Sequence, residues 1–311
     1  MRWLTALLVL MLTACGDPLQ DELDIQSKIA TQQVNELGTA LDQDKLRNAR
    51  LLKDYAKRVK DLKPDYASLV DELAKDASRQ GPLYQSLQER LETALNQPEQ
   101  FAKPEERLRE LINIREAADK ILFNDALADP LNVLADLSGG ALPRVNALPK
   151  AQSQQANQAE DFGAGSQLIG NPGYGQWVQR DGMSFWEWYG MYALFSNLFD
   201  RPIHYDRWSR HRDYSYYSDY GRYRYTKPRD YQRQQQRAQK AFKSDSRFKS
   251  PYAKSRTGAS RLSQASRQAP KTVQQASKFR GGGSKFASKS KYNSSFRNSQ
   301  NRTSRGVRRG K

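Results

Sequence analysis

The chain has 311 residues, 51 Lys+Arg against 34 Asp+Glu, a net charge of +17, and only 37% apolar side chains. That apolar share is too small for one packed domain of the whole length and points to a modest ordered part with long solvated segments. One Cys excludes an intramolecular disulfide framework and a Cys-based zinc cluster, and two His exclude a His-rich metal centre.

Charge is unevenly spread. Residues 15–150 carry 24 acids and 19 bases, whereas residues 151–311 carry 10 acids and 31 bases. Two physical regimes are expected in one chain: a near-neutral folded part and a cationic arm.

At the start, Met1-Arg2 precedes an apolar run from Trp3 to Leu12, broken only by Thr5. The run is shorter than the roughly 20 residues of a spanning helix but fits the core of a signal peptide over 1–14. Leu12-Thr13-Ala14-Cys15 follows at once and uses the only Cys of the chain. This resembles the lipobox of bacterial lipoproteins. The resemblance implies cleavage before Cys15, a diacylglyceryl group on its sulfur, an acylated new N-terminus, and a lipidated stretch over 15–18. Several acyl chains, at about 0.8 kcal/mol per buried methylene, make release from a membrane very slow. In that family an Asp next to the Cys favours inner-membrane retention. Here Gly16 holds that place and Asp17 follows, which leans toward the outer membrane.

Residues 19–138 predict a helical domain. Pro64, Pro82, Pro104 and Pro130 stand where helices can begin, with acids beside Pro64 and Pro104 to complement the helix dipole. A long first helix is expected over 19–62. Ala30, Val34, Leu37 and Leu41 recur at steps of 4, 3 and 4, and Leu52, Tyr55, Val59 and Leu62 at 3, 4 and 3. The two sets do not share one phase, so a kink or change of partner is expected near Asp42-Gln43-Asp44. Asp54/Arg58, Asp71/Lys75, Glu105/Arg109 and Glu116/Lys120 are acid-first i,i+4 pairs suited to solvated faces. Gly139-Gly140 ends the last short helix. No phosphate loop, serine elbow or metal-ligand helix motif occurs, and adjacent acids such as Asp71-Glu72 do not face one another on a helix. A noncatalytic protein without a cofactor is therefore expected.

Residues 139–173 read as a flexible linker. From Tyr174 to Tyr231, 18 of 58 residues are aromatic. A short helix is expected over 184–199, with Trp188, Tyr192, Phe195 and Phe199 on one face, packing on the bundle, self-associating or lying at a membrane surface. His204/Asp206 and His211/Asp213 are paired His-x-Asp units seven residues apart, a spacing that a metal site on a helix would share with an ordinary polar stretch; the ordinary reading is preferred. Arg222-Tyr223-Arg224-Tyr225 suits cation–π contacts.

Residues 232–311 hold 22 Lys+Arg and one acid, Asp245, and few aliphatics, which predicts a disordered tail. Phenylalanines sit beside bases: Phe242-Lys243, Phe248-Lys249, Phe279-Arg280, Lys285-Phe286 and Phe296-Arg297. In composition this resembles basic-plus-Phe peptides of membrane surfaces, in which bases attract anionic lipid at about 1 kcal/mol each and rings insert. Arg280-Gly-Gly-Gly and Arg305, Arg308 and Arg309 near the end also look like RNA-binding Arg/Gly tails. Compartment separates these readings. Export places the tail among anionic phospholipid, lipopolysaccharide and wall polymers; without export, nucleic acid becomes the stronger partner. The expectation is thus a mainly α, lipid-anchored envelope protein, a small bundle with a long and partly coiled-coil-like first helix, of structural or adaptor type; the alternative is a nucleic-acid-binding protein using its Arg/Tyr and Arg/Gly tracts.

Overall fold

A computed structural model describes residues 17–145, 158–199, 201–254 and 256. The architecture is mainly α. Helix α1 (Pro18–Asp42) opens on Asp17, whose carboxylate accepts from the Leu19 N–H at 3.0 Å, with Pro18 in the first turn. It buries Leu23, Ala30, Val34, Leu37 and Leu41. The long first arm breaks where its apolar phase changes. Asp44 adopts φ +51°, its N–H donates to Leu41 O at 3.1 Å, and the Lys45 N–H donates to Ala40 O at 2.8 Å. This left-handed closure satisfies the last carbonyls of α1 and lets α2 (Arg47–Leu62) set off with Leu52, Tyr55 and Val59 inward.

The prolines punctuate the rest. A 3-10 turn from Pro64–Tyr66 leads into α3 (Ala67–Ala74), and Pro82 and Pro104 occupy the first turns of α4 (Pro82–Asn96) and α5 (Pro104–Ala117). Asp119 caps α6 (Lys120–Ala126) by accepting from the N–H groups of Ile121 and Leu122. Pro130 lies within the first turn of α7 (Ala128–Leu137), which ends at Gly139 and Gly140 with φ of +65° and +95°. Helix α1 packs on α4 and α5, and α2 packs on α3, α6 and α7. Three of the four expected i,i+4 ion pairs yield to other partners. Asp71 meets Lys60 at 2.6 Å, Lys75 meets Glu72 at 2.6 Å, Arg109 meets Glu106 at 3.9 Å, and Lys120 meets Glu36 at 3.0 Å.

The second half departs from its sequence reading in three places. First, residues 158–173 are packed rather than a loose linker (146–157 lie outside the described residues). Phe162, Leu168 and Ile169 are buried, and Gln167 donates to Asp136 at 2.9 Å. Gly170, at φ +87°, lets the Trp208 ring lie against the backbone, where a Cβ would come within 2.5 Å of it.

Second, no helix spans 184–199. Strands β1 (Gly175–Arg180) and β2 (Met183–Trp188) form an antiparallel hairpin, with Trp177 opposite Trp186. Its turn is Asp181-Gly182, both at positive φ (+50° and +78°), the combination a two-residue hairpin turn requires. A 3-10 stretch, Gly190–Leu198, follows. The four rings assigned to one helical face do gather in part: Trp188 lies 4.9 Å from Phe195 and 6.0 Å from Phe199. They do so from a strand and a turn, while Tyr192 lies 5.1 Å from Tyr174 and reaches the bundle, its hydroxyl donating to Glu72 O at 3.5 Å, and Tyr174 donates to Asp76 at 2.9 Å.

Third, the expected tail is folded over its first part. Helices α8 (Tyr205–His211) and α9 (Arg222–Tyr225) lead to α10 (Pro228–Ser244). Beyond α10, Phe248, Tyr252 and Ala253 are buried. The chain there is tied by Ala253 N–H to Ser218 O at 2.7 Å and by Arg212 to Pro251 O at 2.8 Å. Aromatic rings and a buried guanidinium do here what aliphatic side chains do in the bundle. One apolar core runs unbroken from Leu23 to Tyr252.

Candidate anionic-ligand interface

Helix α10 has one buried residue, Gln234. Its side chain accepts from Arg222 Nε at 2.7 Å and donates to the Tyr217 hydroxyl at 2.7 Å. With Gln234 inside, Arg229, Arg233, Arg237 and Lys240 follow steps of 4, 4 and 3 along one flank of the helix. That flank lies beside the hairpin. Between them runs a groove of about 450 Å³, with Arg233, Arg237 and Lys240 on one wall and Trp177, Gln179, Ser184 and Trp186 on the other. The four hairpin residues share a face because Trp177 pairs with Trp186 and Gln179 with Ser184.

The cations are held differently. Arg237 is half-buried, donates to Trp177 O at 3.0 Å and lies 5.6 Å from the Tyr205 ring centre. Burial lowers its pKa from the usual value, against the pull of the Tyr252 and Tyr205 phenols. Arg233 faces Asp230 at 3.3 Å. Lys240 stands exposed. At the mouth, half-exposed Tyr189 has its phenol pKa raised, first by burial and then by Asp230. A wider groove of about 690 Å³ between α1 and α6 has no aromatic lining residue and is crossed by the Lys120–Glu36 pair.

Of the bases named from sequence, Lys243 and Lys249 are exposed; Arg280, Lys285, Arg297, Arg305, Arg308 and Arg309 lie outside the described residues, as does Cys15. Of the five rings proposed to insert into a membrane, Phe242 is 55% exposed, but Phe248 is buried at 9% with its ring 6.2 Å from Tyr205. Phe248 is therefore a core residue, unavailable for insertion, because the chain after α10 turns back onto α8. Phe279, Phe286 and Phe296 lie outside the described residues.

The two His-x-Asp units are not brought together. His204 precedes α8 and its ring packs 4.4 Å from Phe185, while His211 ends α8 with Nδ1 3.2 Å from Gln158 O. Asp206 is exposed, and Asp213 is buried against Arg144 at 3.0 Å. Among the described residues no group of three or more His, Cys, Asp or Glu is placed to hold a metal ion.

The Arg/Tyr tract also faces inward. Arg222 and Tyr225 are buried, and the Arg222 guanidinium lies 4.2 Å from the Tyr231 ring centre and 4.9 Å from that of Tyr252. Those cation–π contacts are internal, which removes two of the four residues from any nucleic-acid surface.

Two buried acids belong to the packing rather than to an open site. Asp129 accepts from the N–H groups of Tyr216 and Tyr217, and Asp76 accepts from Tyr174. Burial pushes both carboxyls up to about 7. Composition alone places 232 onward in a tail and so hides the groove residues Arg233, Arg237 and Lys240. Their 4, 4, 3 spacing from Arg229 was the available signal. Scans of protein-family models, curated proteins and solved structures find no match to this chain. No helix among the described residues is long and apolar enough to cross a membrane.

Proposed function

We propose that the chain is a noncatalytic, lipid-anchored protein of the bacterial cell envelope, facing the periplasm, with the outer membrane favoured. It acts as a structural or adaptor element whose basic C-terminal region contacts anionic phospholipid, lipopolysaccharide or wall polymer, and it has room for self-association. The observation that carries this reading is Leu12-Thr13-Ala14-Cys15 directly after the apolar run, with the chain's only thiol at its end. The cationic flank of α10 supports the anionic partner, since it starts the same basic region that continues to Lys311. The inward placement of Asp76 and Asp129, each spent on a tyrosine hydroxyl or backbone N–H groups, supports a structural role for the buried acids.

Metabolic labelling with a palmitate analogue tests the anchor. Labelled protein is expected from the natural chain and none from Cys15→Ala. An unlabelled natural chain with an intact Met1 and a free thiol overturns the reading and turns attention to polynucleotides. Separation of the two membranes then decides which one carries the labelled product.

A further inference from the structure

We infer that the groove between the β1–β2 hairpin and α10 binds a short stretch of carboxylated oligosaccharide, an inference that rests on the envelope placement proposed above for its source of ligand. The volume, about 450 Å³, lies within the usual range of small-molecule sites. Its chemistry is mixed in a way that matches sugar acids. Gln179, Gln236 and Ser184 offer amide and hydroxyl groups that can both donate and accept, as ring hydroxyls and acetamido groups require. Tyr189, at the mouth, presents an amphipathic ring, apolar on its face and polar at its tip.

Charge sets the ligand's sign and its density. Arg233, Arg237 and Lys240 outnumber Asp230, so the groove is positive. Two of the three already have protein partners, Arg237 at Trp177 O and Arg233 at Asp230, which leaves Lys240 with full capacity. Spaced single carboxylates suit that arrangement better than a dense polyphosphate, which calls for several converging donors. A flat lipid headgroup layer fits less well. The groove is concave, and its aromatic floor, Trp177 and Trp186, is buried and cannot insert. One further feature sits in that floor: Trp186 Nε1 is a buried donor with no hydrogen-bond partner. Its indole lies over Gly175, where a Cβ would come within 2.7 Å of the ring.

The test is a titration of the purified full chain with a tetrasaccharide of alternating N-acetylglucosamine and N-acetylmuramic acid, read by tryptophan fluorescence because Trp177 and Trp186 line the groove. Chitotetraose, inorganic phosphate and phosphatidylglycerol vesicles are run beside it. The muramyl sugar is expected to bind at least tenfold more tightly than uncharged chitotetraose. Arg233→Ala with Lys240→Ala is expected to raise its Kd at least tenfold, and Tyr189→Ala several-fold, with an unchanged circular dichroism melt. Lys243→Ala with Lys249→Ala removes the same charge outside the groove and is expected to change Kd less than twofold. Equal weakening by both pairs, no sugar binding, or a loss confined to vesicle binding overturns the inference. Failure here with Cys15 still acylated removes the groove alone, whereas an unacylated chain that still binds the sugar removes the anchor alone.

Discussion

The helical bundle and the aromatic half reach stability by different chemistry. In the bundle, leucines at helical spacing do most of the work, and Leu37, Leu41, Leu52, Leu69, Leu73 and Leu87 are all fully enclosed. In the aromatic half, rings and charges share the interior. Arg212 is buried with Asp219, joined by two hydrogen bonds at 2.7 and 3.0 Å, and Trp208 and Tyr252 pack close by. Most of the bundle's own buried charges point to the same place. Asp76 serves Tyr174, Asp129 serves Tyr216 and Tyr217, and Arg90, paired with Glu110 at 2.6 Å, also donates to Arg224 O. The charges inside the bundle are therefore largely docking groups for the second half. An apolar face would have packed against that half without choosing a register, whereas paired donors and acceptors fix one.

The sharpest way to break this contrast is to remove Arg212. Its loss leaves Asp219 enclosed without its main cation and frees the Pro251 carbonyl, so Arg212→Ala is expected to cost about 3–5 kcal/mol in chemical denaturation. Native-state hydrogen exchange should show the protection lost first around Ser218 and Ala253, joined by their backbone hydrogen bond, and last in α1 and α2. Uniform loss across both halves would mean that they are one cooperative unit and that their different chemistry carries no difference in local stability.

Acidity offers a finer probe of the docking groups. The Asp76 carboxyl is raised to about 7, chiefly by burial and further by Glu72, while Tyr174 pulls it down. A raised acid holds its proton when folded and loses it when unfolded, so its contribution to stability is greatest at low pH. That contribution falls as pH climbs from the ordinary carboxylate range to about 7. Asp76→Asn keeps an uncharged acceptor for Tyr174. Its stability relative to the natural chain is expected to improve with rising pH between about 5 and 7, by at most about 1.4 kcal/mol per pH unit. A gap that stays constant over that window shows that Asp76 is ionised throughout and held by its hydrogen bonds.

How much of this was readable follows from the same contrast. Helix-forming leucines announce themselves by spacing, and the breaks at Asp42–Asp44, Pro82 and Pro104 are local chemistry that needs no tertiary partner. The hairpin was present in the letters too, as Asp181-Gly182 between Trp177 and Trp186, but Trp188, Tyr192, Phe195 and Phe199 also fit helical spacing and masked it. The fold of 232–254 was the least legible. Its core contribution comes from Phe248 and Tyr252 meeting Tyr205 and Trp208, long-range contacts that composition does not encode. The groove inherits that difficulty, since one wall is the hairpin and the other is α10.

Smaller effects should separate the helix ends from the helix surfaces. Asp119→Ala removes the acceptor for two N–H groups at the start of α6 and is expected to cost about 1 kcal/mol.

The surface pair Lys60–Asp71 should matter least. Its groups approach to 2.6 Å, yet the side chains are 39% and 60% exposed, so water already serves both ends. A double-mutant cycle with Lys60→Ala and Asp71→Ala is expected to give a coupling below about 1 kcal/mol, shrinking further in high salt. A coupling as large as that expected at Arg212 would show that the bundle, too, leans on charge, and the two halves would then differ in composition but not in the forces that hold them.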